Sequence, residues 1–369
     1  MRSTFALLAV SAVAALGLLP SRAPRAEAAG WAPTAYVGGG QVAMPYAGDY
    51  PEYPEQPVAY TQSAGGSCGC GCDWRESSRS AGIIGGYDIV WLKPHFSNAT
   101  SYGTIVSDAQ TEGGGSAVDH SYRTDYELAP RFWLGYQWCN GFGARARYCQ
   151  FVDRLGSGAF STDLDTDIFV EYGSNNPWES DAIWAEDEEI LAFAHRMKMD
   201  VVDVEATQNL KWRHTRLTAG GGVRYAKIRF QSESVLFDEV ATDAVSVENT
   251  FEGVGPTVFL DVERSIGQTS FSVVGGLRGS ILFGRRYYNL RWLDLGEGAD
   301  WEVTQRGYRA TGVLEASIGV QYNVCLCRGT DAFARCTWEG QLWNDVGSPT
   351  TVKGDLAMEG LSIAVGIAR

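Results

Sequence analysis

The sequence predicts an all-β fold, a closed antiparallel transmembrane β-barrel of about 10–12 strands that follows a disordered N-terminal extension. Apolar and polar residues alternate with period two through long segments after residue 82, as they do along a half-buried strand. The links between these segments are alternately short and long, which is typical of outer-membrane barrels. No apolar run of about 18 residues follows the N-terminus, which excludes a helical membrane protein.

The N-terminus has the pattern of a secretory signal. Arg2 supplies a positive charge, Phe5 to Leu19 form an apolar run, and Ala26-Glu27-Ala28 fits a cleavage site. Residues 1–28 are therefore expected to be a cleaved signal peptide, with an N-terminal membrane anchor as the alternative. Residues 29–80 are rich in Pro, Gly and Cys and are expected to be a disordered periplasmic extension. The barrel is assigned to residues 81–369.

The alternation is clearest between Gly307 and Asn323, where Leu314 and Ile318 share one face and Glu315 and Gln321 share the other. One segment changes phase. Its apolar residues are first at odd and then at even positions: Met197, Met199, Val201, Val202, Val204 and Ala206. A β-bulge near Val201 would produce such a change, and the alternative is a simply irregular segment.

The spacing of the links predicts the number of strands. Short links fall near residues 139–140, 209–214, 265–268 and 325–330. Long polar links fall near residues 97–120, 154–189, 231–250 and 287–302, with a shorter one near 346–353. This arrangement predicts about ten strands, or about twelve if residues 162–171 form part of an extra hairpin.

If the apolar faces contact lipid, the opposite faces line the lumen. The basic residues expected there are Arg123, Arg131, Arg145, Arg147, Arg224, Arg278, Arg309 and Arg335. The acidic residues are Asp125, Glu127, Asp203, Glu205, Asp261, Glu263, Glu315 and Glu339. Balanced charges allow two readings: a narrow open pore whose charged rows set its selectivity, or a lumen closed by salt bridges.

The cysteines are candidates for disulfides or cross-links, since an exported protein meets an oxidising compartment. They are Cys68, Cys70, Cys72, Cys139, Cys149, Cys325, Cys327 and Cys336. Sequence alone leaves their pairing open. No His lies near the Cys68–Cys72 cluster, so neither a metal site nor a cofactor is predicted.

The net charge of -14 argues against a nucleic-acid partner. The expected partners are outer-membrane lipid, small solutes or ions, and cell-wall or envelope proteins that meet the N-terminal tail; a homo-oligomer is a further candidate. Aromatic residues near predicted strand ends suit interfacial belts: Trp91, Trp138, Trp212, Phe283, Tyr287, Tyr322 and Trp343.

Catalysis is not expected. Among the four histidines, His120 beside Asp119 and Ser121 is the most suggestive, but no G-x-S-x-G, H-E-x-x-H or P-loop motif occurs. A barrel hydrolase is therefore a minor alternative to a porin-like pore. A structural or adhesive anchor with a closed lumen is the other alternative.

Several segments in order resemble one family. They include "GIIGGYDIVWLKP", "VDVEATQNL", "FEGVGPTVFL", "LRGSILFG", "WEGQLW" and the final "GLSIAVGIAR". The chain resembles the pore-forming major outer-membrane proteins of the legionella type, a family expanded in planctomycetes, over about residues 82 to 369. This resemblance implies an outer-membrane barrel with porin-like activity.

Overall fold

The computed structural model describes residues 81–97, 100–107, 115–162, 166–173, 180–186, 188–212, 214–238, 240–296, 298–326 and 330–368. The predicted signal peptide (residues 1–28) and the predicted disordered extension (residues 29–80) lie outside these residues. The described residues form strands and no helix, which confirms the all-β prediction. Within them, no helix has the length and apolar character that crossing a membrane requires.

The strands are named in chain order. They are β1 (Gly82–Phe96), β2 (Thr100–Ser107), β3 (Gly115–Ser121), β4 (Glu127–Gln137), β5 (Phe142–Asp153), β6 (Ser157–Ser161), β7 (Thr166–Gly173), β8 (Ser180–Ala185), β9 (Ile190–Trp212), β10 (Thr215–Asp238), β11 (Val240–Ser265), β12 (Phe271–Asp294), β13 (Ala299–Leu326), β14 (Thr330–Trp343) and β15 (Leu356–Ala368).

Ten of these strands pair antiparallel in a ring. The order is β1-β4-β5-β9-β10-β11-β12-β13-β14-β15, and β15 pairs with β1 again. Short β6 pairs with β9 beside this ring. A second sheet has the order β3-β2-β7-β8. The extra hairpin considered for residues 162–171 therefore does not enlarge the ring, because β7 belongs to the second sheet.

The two ends of the ring differ. The start of β1, the end of β15 and the connections at residues 138–141 and 266–270 share the short-turn end. The end of β9 meets the start of β10 there, and the end of β13 meets the start of β14. The tall end carries β2, β3 and β6–β8, and the connection at residues 344–355. Two predicted long loops at this end are wrong: residues 231–250 and 287–302 are mostly strand, in the tall hairpins β10–β11 and β12–β13. Their outward polar residues resembled loop sequence.

Toward the short-turn end, the wall of the ring is apolar outside and polar inside. On β9, the outward Val204 is 60% exposed, whereas the inward Asp203 is fully buried. Phe283 on β12 is 61% exposed, again on the outer face. This distribution is the reverse of that in a water-soluble sheet protein, in which the apolar face is the buried one.

A row of outward polar residues marks the upper limit of this apolar surface. Successive strands place the row's members directly opposite one another: Gln150, Asp200, Lys227, Glu252, Arg285 and Tyr308. We call them the polar row. On the short-turn side of the row, outward residues such as Val202 and Val254 are apolar and exposed. On the opposite side, outward residues of β9 such as Lys198 and Arg196 are charged.

The inner face changes chemistry near the same level. Inward Asp203 and Glu205 are charged, while inward Met197 and Met199 are apolar and buried. β9 pairs with β10 from Ile190 to Trp212 without a register shift, so the predicted bulge near Val201 is wrong. Odd-numbered residues of β9 therefore lie on the inner side along the whole strand. What changes along the strand is whether these inward residues are apolar or charged.

A buried apolar cluster lies inside the ring beyond the charged interior. Every strand of the ring contributes to it: Val90, Ala129, Phe151, Met197, Ile228, Phe251, Leu282, Val313, Trp343 and Leu356 are members. Tyr122, which lies on the connection between β3 and β4, is also buried there. A second cluster joins β7 and β8 to the tall parts of β9–β12, where Tyr172, Ile183 and Leu290 are buried.

Candidate functional site: the charged interior of the ring

A belt of arginines and carboxylates occupies the interior of the ring on the short-turn side of the apolar cluster. Its members are Arg131, Arg145, Arg147, Arg224, Arg278, Asp88, Asp203, Glu205, Asp261, Glu315 and Glu339, and we call it the charged belt. They come from nine of the ring strands, each from an inward position of its strand. Strand alternation brings them together, because every second side chain of a strand points to the same side of the wall.

Asp203 and Glu315 are the carboxylates most closely surrounded by arginines. Asp203 accepts from Arg224 Nε at 2.6 Å and from Arg147 Nε at 2.9 Å. Glu315 lies 2.6 Å from Arg224 Nη1 and 3.3 Å from Arg147 Nη2. Two arginines thus bridge two carboxylates, and the side chains of Arg224 and Asp203 are almost fully withdrawn from solvent. Buried ions require such mutual compensation.

Glu205 is held by two further arginines. Arg145 Nη2 lies 2.8 Å from it, and Arg278 donates to its other oxygen. Both guanidinium groups lie over the ring of Phe259, at 4.6 and 4.9 Å from its centroid. The stacked ring restricts the arginine side chains and keeps their charge directed at the carboxylates.

One ion pair crosses the interior between strands that are not neighbours. Arg131 on β4 donates both Nη atoms to Glu339 on β14, at 2.9 and 2.8 Å. β1 and β15 lie between β4 and β14 in the ring. Asp88 of β1 lies 3.5 Å from Arg131 Nη1. The pair therefore spans the curvature of the wall and narrows the space inside it.

A small cavity remains within the charged belt. Its volume is about 60 Å³, and Arg131, Arg147, Arg278, Glu315 and Glu339 are among the residues that line it. This space accommodates a few water molecules or a small ion, and its lining is polar enough to hold them.

Most of the residues predicted to line the lumen lie in the ring interior. The charged belt contains Arg131, Arg145, Arg147, Asp203, Glu205, Arg224, Asp261, Arg278, Glu315 and Glu339. Nearer the short-turn end, Arg335 donates to Gln321 at 2.8 Å and Glu263 lies 3.4 Å from Arg216. On the tall side, Arg309 lies 3.3 Å from Asp345.

Three predicted residues lie elsewhere, and one was missed. Arg123 and Asp125 are exposed on the connection between β3 and β4, and Glu127 is exposed at the first position of β4. The alternation had been extended beyond the start of that strand. Asp88 belongs to the charged belt but was not selected, although it alternates with apolar Tyr87 and Ile89.

The connection between β14 and β15, residues 344–355, folds into the ring. Arg286 donates to the carbonyl oxygen of Val352 at 2.5 Å and to that of Asp345. Asn249 Nδ2 donates to the carbonyl oxygens of Ser348 and Thr351 at 3.2 and 3.1 Å. We call residues 344–355 the inner loop. Its backbone is thus satisfied by side chains of the wall, which allows a non-strand segment to be buried.

The remaining inner-loop contacts bring it against the apolar cluster. Val346 of the loop is fully buried within that cluster, close to the tall end of the ring. Tyr122 OH and Thr350 Oγ1 lie 2.8 Å apart, and burial raises the pKa of Tyr122 to about 12. The loop and the cluster together close the interior in this conformation.

The cysteines and His120 have separate surroundings in the described part of the chain. Cys139, Cys149 and Cys336 are free thiols, so no disulfide joins them. Cys325 is half-buried, while Cys68, Cys70, Cys72 and Cys327 lie outside the described residues. His120 stacks on Tyr102, and its Nε2 lies 3.1 Å from Thr104 Oγ1. No cluster of three His, Cys, Asp or Glu side chains suited to a metal ion occurs in the described part of the chain.

An apolar outer wall around a charged interior defines a class, the outer-membrane β-barrels. A family model described as the Legionella pneumophila major outer membrane protein precursor matches residues 84–364. The chain belongs to this family, which confirms the resemblance found in the sequence.

Solved structures with a related chain trace were also found. The outer-membrane protease OmpT of Escherichia coli has 11% identity and a TM-score of 0.42, with 78% of this chain and 96% of that chain covered. A FadL homologue of Pseudomonas aeruginosa has 8% identity and a TM-score of 0.23, with coverage of 78% and 90%. At these scores the similarity supports no functional argument. No curated protein matches.

Proposed function

We propose that the chain spans the outer membrane as a ten-stranded β-barrel and admits small ions or solutes through a narrow charged lumen when its tall end opens. The observation that carries the proposal is the combination of a lipid-like outer band with a belt of paired charges inside the same wall. The tall end would face the cell exterior, as long connections do in this class.

The height of the apolar band fits a bilayer. On β9 the outward residues from Val202 to Trp212 are apolar except for Gln208. At about 3.4 Å per residue and a tilt of about 40°, this segment crosses roughly 26 Å, close to the apolar band of about 25 Å in outer-membrane barrels. The polar row would then lie at the outer membrane surface.

Lipid exposure can be tested with two tryptophans on one strand. Trp338 of β14 is 46% exposed on the outer face, and Trp343 is fully buried inside the ring. We expect brominated phospholipid to quench part of the fluorescence of the refolded protein. Trp338→Phe should reduce the quenched fraction of the emission. Trp343→Phe, its matched control, should not reduce that fraction, because the emission that it removes comes from a ring that lipid does not reach. Equal effects of the two substitutions would contradict the proposed orientation.

The charged belt supports a polar path rather than an apolar one. Its arginines and carboxylates alternate around the wall, and a small ion that passes them exchanges water contacts for charged ones. In this conformation the inner loop and the apolar cluster close the path. Conduction therefore requires the inner loop to move. Arg286 and Asn249 are wall side chains that hold its backbone, so they are the contacts to remove in a test.

A second candidate function is a structural anchor whose lumen stays closed. The apolar cluster favours it, because all ten ring strands contribute buried side chains to that cluster. On this reading the barrel serves as a rigid support for the second sheet at the tall end. No catalytic role is proposed, since within the described ranges His120 has a polar contact with Thr104 and no third group that orients its ring.

Single-channel recording in planar bilayers separates the pore from the anchor. We expect rare, small conductance steps from the wild-type barrel. The double variant Asn249→Ala/Arg286→Met, which removes the side chains that hold the inner loop, should give larger or more frequent steps. A matched control is Arg291→Met on the exposed hairpin, which should behave as the wild type. Silence of both wild type and loop variant, with correct folding shown by heat-modifiable gel mobility, would refute the pore and leave the anchor.

A further inference from the structure

Two arginines and two tyrosines form a compact group on the outer face of the β12–β13 hairpin. Arg285 lies directly opposite Tyr308, and Tyr287 lies opposite Arg306 on the next outward pair. The guanidinium carbon of Arg285 is 5.6 Å from the ring centroid of Tyr308, and that of Arg306 is 5.5 Å from the ring of Tyr287. Each arginine is therefore held over an aromatic ring in a preset position.

The charges of these arginines are not neutralised by the protein. Among the described residues, neither Arg285 nor Arg306 has a carboxylate within ion-pair distance. Glu252, opposite Arg285 in the sheet, is instead 3.7 Å from Lys227 Nζ and accepts from Tyr225 OH at 2.9 Å. On the same outer surface, other arginines are paired, as Arg291 is with Asp300 at 2.6 Å. The two tyrosine-stacked arginines thus form a local excess of positive charge on an acidic chain.

The position of the group matches a lipid headgroup. Arg285 and Tyr308 belong to the polar row, and the next outward pair toward the short-turn end is Phe283 with Ala310, which lies in the apolar band. One such step is about 7 Å along the strand. A lipid whose acyl chains cover Phe283 would therefore bring its headgroup to the level of the guanidinium groups.

We propose that Arg285, Arg306, Tyr287 and Tyr308 form a binding site for a phosphate-bearing headgroup of an outer-leaflet lipid. The planar guanidinium forks match phosphate oxygens, and the tyrosine hydroxyls can donate further hydrogen bonds. Tyr308 is 78% exposed, so the site is open to the bilayer surface. The inference rests on the proposed membrane-spanning function.

The test measures lipid binding to the refolded full-length protein in detergent micelles by native mass spectrometry. The probe is lipid A with its phosphates, compared with dephosphorylated lipid A. Arg285→Gln/Arg306→Gln should weaken binding of phosphorylated lipid by about tenfold or more, because charge-assisted hydrogen bonds to phosphate are lost. The dephosphorylated lipid should bind the wild type and this variant alike.

Controls separate the specific site from general charge. Arg229→Gln/Arg291→Gln removes the same charge from paired arginines of the outer face and should leave the affinity unchanged. An equal loss in both double variants, or none in either, would overturn the site. Competition by millimolar inorganic phosphate would show a site for free phosphate and would also overturn the lipid assignment.

Insertion is measured on the same proteins, by protease protection and heat-modifiable mobility in vesicles. Failure to insert contradicts the membrane-spanning function itself. Normal insertion with unchanged lipid affinity in Arg285→Gln/Arg306→Gln contradicts only the headgroup site.

Discussion

The pair between Arg131 and Glu339 offers a direct measure of how strongly the interior charges depend on one another. The two side chains are largely buried, and both Nη atoms of the arginine donate to the carboxylate. Removing one partner of a buried ion pair costs about 3–5 kcal/mol, because the remaining charge stays buried without compensation. Removing both partners leaves only Asp88, the weaker partner of Arg131, without its cation.

The two single substitutions should differ in a way that the geometry explains. Glu339→Met leaves Arg131 with Asp88 at 3.5 Å. This substitution should therefore lower the free energy of unfolding by about 3 kcal/mol, near the lower limit of the range. Arg131→Met leaves both carboxylates without a cation, although Trp133 Nε1 still donates to Asp88 at 3.2 Å, and its cost should be nearer about 5 kcal/mol. The double variant should lose no more than about 3 kcal/mol, which gives a coupling free energy of about 5 kcal/mol in favour of the pair.

The assay is urea unfolding of the refolded barrel, followed by tryptophan fluorescence and by gel mobility without heating. The control cycle uses the exposed pair Arg291 and Asp300, whose substitutions should show no coupling beyond experimental error. Costs for Arg131→Met and Glu339→Met that simply add in the double variant would refute the reasoning, since independent groups add and members of one network do not.

Two further predictions concern the wall and the tall end. Gly360→Ala should lower the yield of heat-modifiable barrel, because its methyl group would collide with a carbonyl oxygen of β1, where β15 completes the ring; normal yield would argue against the β1–β15 pairing. Burial lowers the pKa of His195 to about 4 from its usual 6.5, and its Nδ1 lies 2.9 Å from Ser232 Oγ. The neutral form is favoured by folding, so stability is full above about pH 6.5 and is lost as pH falls toward 4, by at most about 3 kcal/mol. The protection factors of amides in β9 and β10, which are exchange rates corrected for the pH dependence of intrinsic exchange, should therefore fall between pH 7 and 5 in the wild type. His195→Gln should reduce that fall; an unchanged pH dependence of protection in the variant would contradict a role for His195.

The fold and the interior location of the charged side chains follow largely from strand alternation. Because side chains on one strand alternate strictly between faces, Asp203 and Glu205 could be placed opposite Val202 and Val204 from sequence alone. Which charges pair could not be predicted in this way. The contact between Arg131 and Glu339, for example, depends on the curvature of a ring that places β4 and β14 within reach of each other.

Two of the errors share one physical origin, the assumption that apolar side chains point outward along the whole strand. This assumption produced a bulge near Val201, where Met197 and Met199 are in fact inward. It also assigned Trp343 to an interfacial belt, although its ring is fully buried and lies 5.9 Å from the guanidinium carbon of Arg224. Periodicity alone does not reveal that these apolar residues point inward. They alternate along the strand just as the inward charged residues do, and only the solvent outside the wall differs.

The apolar and polar faces of the wall exchange sides at the polar row. This exchange indicates that the same strands face lipid on one side of the row and water on the other. Where the outer face is apolar and covered by lipid, the strand needs no apolar inner face, so its inward side chains can be charged and hydrated. Beyond Asp200 the outer face carries Lys198 and Arg196, and the same strand then requires an apolar interior, as in any sheet that faces water. The apolar cluster and the second sheet meet that requirement. The closed interior of the tall end is therefore a consequence of strands that continue beyond the apolar band, and the proposed opening of the lumen would disturb the part of the molecule that folds like a water-soluble protein.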